Sequence, residues 1–150
     1  MIEHSFVMIK PDGIHREVVG EIISRFERRG IKICAMKMMK LQKELAERHY
    51  TEHKGKSFYE GLIDYVLSGP VICMVLEGDN VISVVRSMMG MTNPQDATPG
   101  TIRGDLAMQT GRNIVHGSDS SESAKREIEL FFNDYEIHKY QRHDETWLYE

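Results

Sequence analysis

The stretch Val71-Ile72-Cys73-Met74-Val75-Leu76 is continuously apolar, and after four intervening residues Val81, Val84, Val85 and Met88 return at helical spacing before Gly90. A short unbroken apolar run reads as a buried strand, and the following period reads as an amphipathic helix. Asp79 or Asn80 supplies the helix cap and Gly90 its stop. A strand feeding a helix within twenty residues points to an α/β class. The N-terminal part repeats the pattern. Phe6-Val7-Met8-Ile9 runs into the turn Lys10-Pro11-Asp12-Gly13, where Pro fixes φ and Gly relaxes it. Ile22, Ile23 and Phe26 then follow with helical spacing and stop at Gly30.

Working outward, residues 31–41 fit a second strand, while 43–53 and 58–67 fit two helices closed by Ser68-Gly69-Pro70. Ile114-Val115 is a short strand. Asp119 and Glu122 resemble a capping box for a helix bearing Ala124, Ile128, Phe131 and Phe132. The order β-α-β-α-α-β-α-(loop)-β-α contains two interleaved βαβ units. It predicts an α/β (α+β) sandwich, ferredoxin-like βαββαβ, with an antiparallel sheet covered by helices on one face. No repeat or linker divides the 150 residues, so one domain over 1–150 is expected.

Hydrophobic residues make up 41% of the chain and charged residues 28%, which disfavours disorder as the main state. A net charge of −4 argues against a general nucleic-acid binder but leaves room for a small cationic pocket. Two cysteines, Cys34 and Cys73, are too few for a disulfide framework or a four-cysteine zinc site. Buried thiols suit a reducing compartment. Met1-Ile2-Glu3-His4 does not read as a secretory leader, and the apolar run 71–76 is far short of the ~20 residues that span a bilayer. A cytoplasmic protein is expected.

Residues 91–113 show no periodic element and hold Pro94, Pro99, Gly100, Gly104 and Gly111. An irregular segment of that length inside a compact chain is usually functional or disordered. Gly55-Lys56-Ser57 is not a phosphate loop, since Tyr50 stands where the first glycine belongs. His49 and His53, spaced i,i+4, read as surface histidines rather than a metal pair, because no third ligand accompanies them. Met36, Met38, Met39, Met88, Met89 and Met91 read as core or interface filler.

The strongest constellation is Gly111-Arg112-Asn113-Ile114-Val115-His116-Gly117-Ser118-Asp119. His116 stands between a short strand and a helix start, where unpaired amides favour an anion such as a phosphoryl group. Its neutral imidazole can be a nucleophile through one nitrogen if the other donates to an acceptor. Glu127, on the inward arc of the last helix, is a candidate acceptor. From spacing alone, a structural histidine and a surface glutamate remain equally open readings. Lys10, Arg86 and Arg103 would complete a cationic cage for a transferring phosphoryl group.

Asn113-Ile114-Val115-His116-Gly117-Ser118-Asp119 resembles the signature of nucleoside diphosphate kinases. Lys10-Pro11-Asp12-Gly13, Val19-Gly20-Glu21-Ile22, Ser68-Gly69-Pro70-Val71, Thr92-Asn93-Pro94, Pro99-Gly100-Thr101-Ile102-Arg103-Gly104-Asp105 and Trp147-Leu148-Tyr149-Glu150 resemble the same family in the same order. The resemblance implies transfer of the terminal phosphate of a nucleoside triphosphate, typically ATP, to a nucleoside diphosphate. It implies a ping-pong route through a phosphohistidine, with Mg2+ carried on nucleotide phosphates rather than on protein ligands, and a role in maintaining triphosphate pools. By the same resemblance His116 is the nucleophile, Ser118 and Glu127 orient it, and Tyr50 lies near the site. Lys10 binds phosphate and ribose, Arg86, Thr92 and Arg103 hold phosphates, Asn113 contacts ribose and Phe58 stacks on the base. Arg112 is structural. Residues 71–76 form a central strand, and the irregular segment 91–113 packs at subunit contacts and beside the site. The family's tail of this type implies a homo-oligomer, a hexamer in preference to a tetramer. A non-catalytic nucleotide-binding scaffold and a nucleic-acid binder are the weaker alternatives.

Overall fold

The computed structural model describes residues 1–150. Strands β1 (Ile2–Ile9) and β3 (Val71–Asp79) lie side by side at the centre of a four-stranded sheet ordered β2-β3-β1-β4. The edge strands are β2 (Lys32–Met39) and the three-residue β4 (Val115–Gly117). Every neighbouring pair is antiparallel, with Val7 opposite Met74 and Met8 opposite His116. The helices in order are α1 (Pro11–His15), α2 (Val19–Arg28), α3 (Lys43–His49), α4 (Tyr59–Leu67), α5 (Val81–Met89), α6 (Ile102–Leu106), α7 (Ser121–Phe131) and α8 (Glu145–Leu148). This is the expected ferredoxin-like order.

The expectation of helices on one face is corrected: they cover both. Phe6, Met8, Cys73 and Val75 point into a core built with Ala46, Ile63, Val66 and Phe131 from α3, α4 and α7. The alternating residues Val7, Ile9, Ile72 and Met74 enter a second core with Ile22 and Phe26 of α2 and Val81, Val85 and Met89 of α5. A strand buried on both faces has no polar side. That is why β1 and β3 are unbroken apolar runs instead of alternating ones.

Two caps also differ. Asn80 occupies the α5 cap position with φ +51, yet its side chain makes no cap bond; Glu3 Oε1 instead accepts from the Ile82 N–H at 3.3 Å. At α7 the cap is Ser120, whose Oγ accepts from the Ser123 N–H at 3.1 Å. Ser120, unlike Asp119, is the extended residue immediately before the helix, which is the position from which a hydroxyl reaches the first-turn amides. The irregular segment 91–113 holds 3₁₀ turns at Pro94–Asp96 and Thr110–Arg112 and the short α6. Each is about one turn long, too short to write a period into the sequence. Gly90 closes α5 with φ +86, and a Cβ there would meet the Thr101 side chain. The start of α6 can therefore pack against the end of α5 only over a glycine.

Candidate active site

β4 pairs with the exit of β1 and presents His116 half-exposed. Its Nε2 lies 2.8 Å from Glu127 Oε2. Glu127 is 3% exposed, on the second turn of α7, and its other oxygen accepts from the Ser118 hydroxyl at 2.6 Å. Ser118 Oγ in turn accepts from the Phe6 N–H at 3.1 Å. A buried carboxylate is costly unless it is paired, and here both its oxygens are engaged. The Phe6 ring packs 6.0 Å from the imidazole, so Nε2 is fixed toward Glu127 and Nδ1 is left as the nitrogen not held by it.

The turn before His116 is strained. Ile114 is fully buried with φ +74, a region a β-branched residue rarely enters. Such a residue costs on the order of 1–3 kcal/mol and persists only where its surroundings impose it. Its N–H donates to Asp12 Oδ2 at 3.1 Å, and its carbonyl accepts from the Lys10 N–H at 2.7 Å. Asp12 also accepts from the Tyr65 hydroxyl. Arg112 lies over the Tyr65 ring at 4.3 Å.

The cations converge on this turn. Lys10 Nζ donates to Asn113 Oδ1 at 2.9 Å, and Asn113 Nδ2 donates to the Thr92 carbonyl at 3.0 Å. Burial, reinforced by Arg103 and opposed by Asp12, lowers the Lys10 ammonium to about 8. Arg103 is 4% exposed and spans three carbonyls: Nε to Asn113 at 3.2 Å, Nη1 to Gly90 at 3.0 Å and Nη2 to Val115 at 2.6 Å. Burial and the nearby Arg86 lower it to about 10, so it stays charged at neutral pH. Arg86, exposed on α5, donates to the Gly117 carbonyl at 3.3 Å.

His49 corrects the reading of a surface histidine. It is 3% exposed, neither ring nitrogen has a hydrogen-bond partner, and its ring meets that of His116 edge-on at 4.7 Å. Burial, with His116 next, holds its pKa well below the ordinary histidine range, so it is neutral. Tyr50 is buried against His49 at 4.5 Å, and its hydroxyl makes no hydrogen bond. Phe58 is 52% exposed at the mouth of this row, 5.3 Å from His53, whereas Tyr59 turns into the core. Lys10, Thr92, Asn113 and Arg103 thus form one hydrogen-bonded group and His116, Ser118 and Glu127 a second. Arg86 bonds to Gly117, between His116 and Ser118, while Tyr50 and Phe58 adjoin through His49 and His53. Asp12 and His49 were not among the expected site residues. The spacing Ala46, His49, Tyr50 (i, i+3, i+4) is the signal that places His49 on the buried helix face.

A family model described as "Nucleoside diphosphate kinase" matches residues 3–137. The chain is 56% identical to a nucleoside diphosphate kinase of Archaeoglobus fulgidus over 149 residues, 99% of each chain. It is 57% identical to one of Listeria monocytogenes serotype 4b over 147 residues, 98% of this chain and all of that one. Among solved structures, a halophilic nucleoside diphosphate kinase from Halobacterium salinarum in complex with CDP superimposes with TM-score 0.98 at 45% identity, covering both chains fully. A family protein from Babesia bovis gives 0.95 at 40% identity, covering 98% of this chain and 99% of that one.

Proposed function

This chain belongs to the nucleoside diphosphate kinase family of phosphotransferases, and we propose that it moves the γ-phosphate of a nucleoside triphosphate, typically ATP, to a nucleoside diphosphate through a phosphohistidine at His116. The observation that carries the reading is the 2.8 Å bond from His116 Nε2 to Glu127. A carboxylate can only accept, which supports the tautomer with the proton on Nε2 and the lone pair on Nδ1. In the first half-reaction Nδ1 attacks the γ-phosphorus, the N–P bond forms and the bond to the β,γ-bridging oxygen breaks. The diphosphate leaves. Glu127, held by Ser118, balances the positive imidazolium. In the second half-reaction a terminal oxygen of another diphosphate attacks the same phosphorus and the N–P bond breaks.

Lys10, Arg86 and Arg103 hold the phosphates. Arg103 spends three of its five N–H groups on carbonyls and keeps two for oxygen atoms of the nucleotide. Asn113 and Thr92 line the ribose and phosphate side, Phe58 offers its face to any base, and Tyr50 supports the ring wall through His49. Mg2+ would ride on the nucleotide phosphates and neutralise their charge. The donor set fits this: the carboxylates of Asp12 and Glu127 are already engaged within the protein. The product role is upkeep of NTP and dNTP pools in the cytoplasm. No helix is long and apolar enough to cross a membrane.

We also infer a homo-oligomer, a hexamer. The unpaired edge β2 exposes Met36 (54%) and Met38 (60%), a combination that single chains usually cover. Light scattering should give six times the 17.3 kDa of one chain, and a monomer mass would refute the assembly. The catalytic reading is tested with γ-labelled ATP and Mg2+. Acid-labile, alkali-stable label on the protein, chased by unlabelled diphosphate, is expected. Acid-stable label or none would overturn it.

The lowered Lys10 predicts a pH effect. Its ammonium is present below about pH 8 and lost above it. Because kcat/KM reports the free enzyme, it should fall as pH rises through about 8. Lys10→Arg, whose guanidinium keeps its proton, should move that fall upward. A profile unaltered by the substitution would remove Lys10 from phosphate binding.

A further inference from the structure

At the far end of the same sheet face, a cluster stands that phosphoryl transfer does not use. His4 on β1, Cys34 on β2 and Glu77 on β3 come from three adjacent strands. His4 and Glu77 are opposite each other in register, and Lys32 is opposite Glu77 on its other side. His4 Nε2 lies 2.8 Å from Glu77 Oε2, and Cys34 Sγ lies 3.8 Å from the same oxygen. The three donor atoms all fall within 4.8 Å of one another. The Lys32 ammonium sits 3.3 Å from Oε1 and so pins the carboxylate while leaving Oε2 to the imidazole and thiol.

We propose that His4 Nε2, Cys34 Sγ and Glu77 Oε2 form a binding site for one borderline-soft divalent cation of the Zn2+ class, with water as its fourth ligand. Bonds of about 2.0 Å to N and O and about 2.3 Å to S, arranged tetrahedrally, set the donors roughly 3.3–3.6 Å apart. The observed separations from Oε2 of 2.8 Å to Nε2 and 3.8 Å to Sγ bracket that spacing, and Nε2 and Sγ lie within 4.8 Å of each other. Small side-chain shifts suffice, because three hydrogen-bonded strands fix the backbones.

The donor set decides the class of metal. A thiolate with an imidazole and one carboxylate suits Zn2+ or Co2+, whereas Mg2+ prefers an all-oxygen shell with retained water. The site would therefore not compete for the cation that rides on nucleotides. Burial and the adjacent Glu77 carboxylate keep the free thiol protonated, pushed up to about 11. Coordination forms the S–metal bond and expels that proton to the buffer. A cavity of about 290 Å³ lined by Lys32, Glu77, Asp79, Arg142 and Glu145 adjoins the carboxylate.

The test is a titration of the reduced, full-length protein with Co2+, followed by Zn2+. One equivalent per chain should raise a thiolate-to-cobalt charge-transfer band in the near ultraviolet, which Zn2+ then displaces. Cys34→Ser should lose the band and Cys73→Ser should keep it. His4→Ala should weaken Co2+ binding about tenfold or more, by analogy with metal-ligand shells. His116→Ala should leave the band unchanged, which separates this site from the thiol-free group of His49, His116 and Glu127. Far-UV circular dichroism confirms that each variant is folded. Absence of the band in the unaltered protein, its survival in Cys34→Ser, or unchanged affinity in His4→Ala would overturn the proposal.

Discussion

His116→Ala should reduce phosphoryl exchange between nucleotides by at least about 10,000-fold, as removal of a covalent nucleophile does elsewhere. No neighbour can take its place. Ser118 is fully buried and commits its hydroxyl to Glu127. His49 is equally inaccessible, and its ring only walls the site. The variant should still bind nucleotide, because the phosphate contacts proposed for Lys10, Arg86 and Arg103 do not involve the imidazole. It should also fold, because a half-exposed ring is lost and the strained turn at Ile114 keeps its ties to Asp12 and Lys10. The measurements are steady-state exchange, retention of label and equilibrium nucleotide binding on one preparation. Exchange above about one hundredth of the unaltered rate, with binding intact, would mean that the phosphate does not pass through His116.

Arg103→Ala should be the most damaging substitution for stability among the site residues, at about 3–5 kcal/mol. Its guanidinium joins the end of α5 at Gly90, the turn at Asn113 and β4 at Val115. Truncation removes the guanidinium donor from all three carbonyls; that of Asn113 keeps the Val115 N–H at 2.8 Å, while those of Gly90 and Val115 lose the arginine bond outright. At this chain length that loss corresponds to a fall in Tm of roughly 10–15 °C. Arg103→Lys should recover only part of it, since one ammonium cannot span carbonyls approached by three different nitrogens. Calorimetry checks the first effect. Activity measured well below the lowered Tm separates the second, the loss of a phosphate contact. A Tm within about 2 °C of the unaltered protein would show that the clamp carries no structural load.

Much of this architecture is legible in the sequence, and particular residues show why. The run 71–76 and the helical spacing of Val81 and Val85 carry their own periods, so β3 and α5 fall where they are expected. The turn at Lys10-Pro11-Asp12-Gly13 and the motif around His116 are written in residue types that few other structures require. What escaped reading depends on tertiary closure. α1 and α6 have five residues each, less than two turns, and the run 6–9 says that both faces of its strand are covered without saying by which helices. His49 sits among Glu44, Glu47 and Arg48, so its helix looks solvated until α7 is packed across it. Asp12 was legible as a turn former. That its carboxylate would be the partner of Ile114, 102 residues away, was not.

The strained Ile114 has one more consequence. Residues 113–131 contain His116, the proposed nucleophile, together with Ser118 and Glu127, and on paper they resemble a self-contained cassette. They are not portable. The backbone that aims His116 is held in an unfavourable conformation by atoms of residues 10 and 12, and a loop grafted onto another scaffold would relax out of it. Reactivity here belongs to the closed circuit of the chain rather than to its signature.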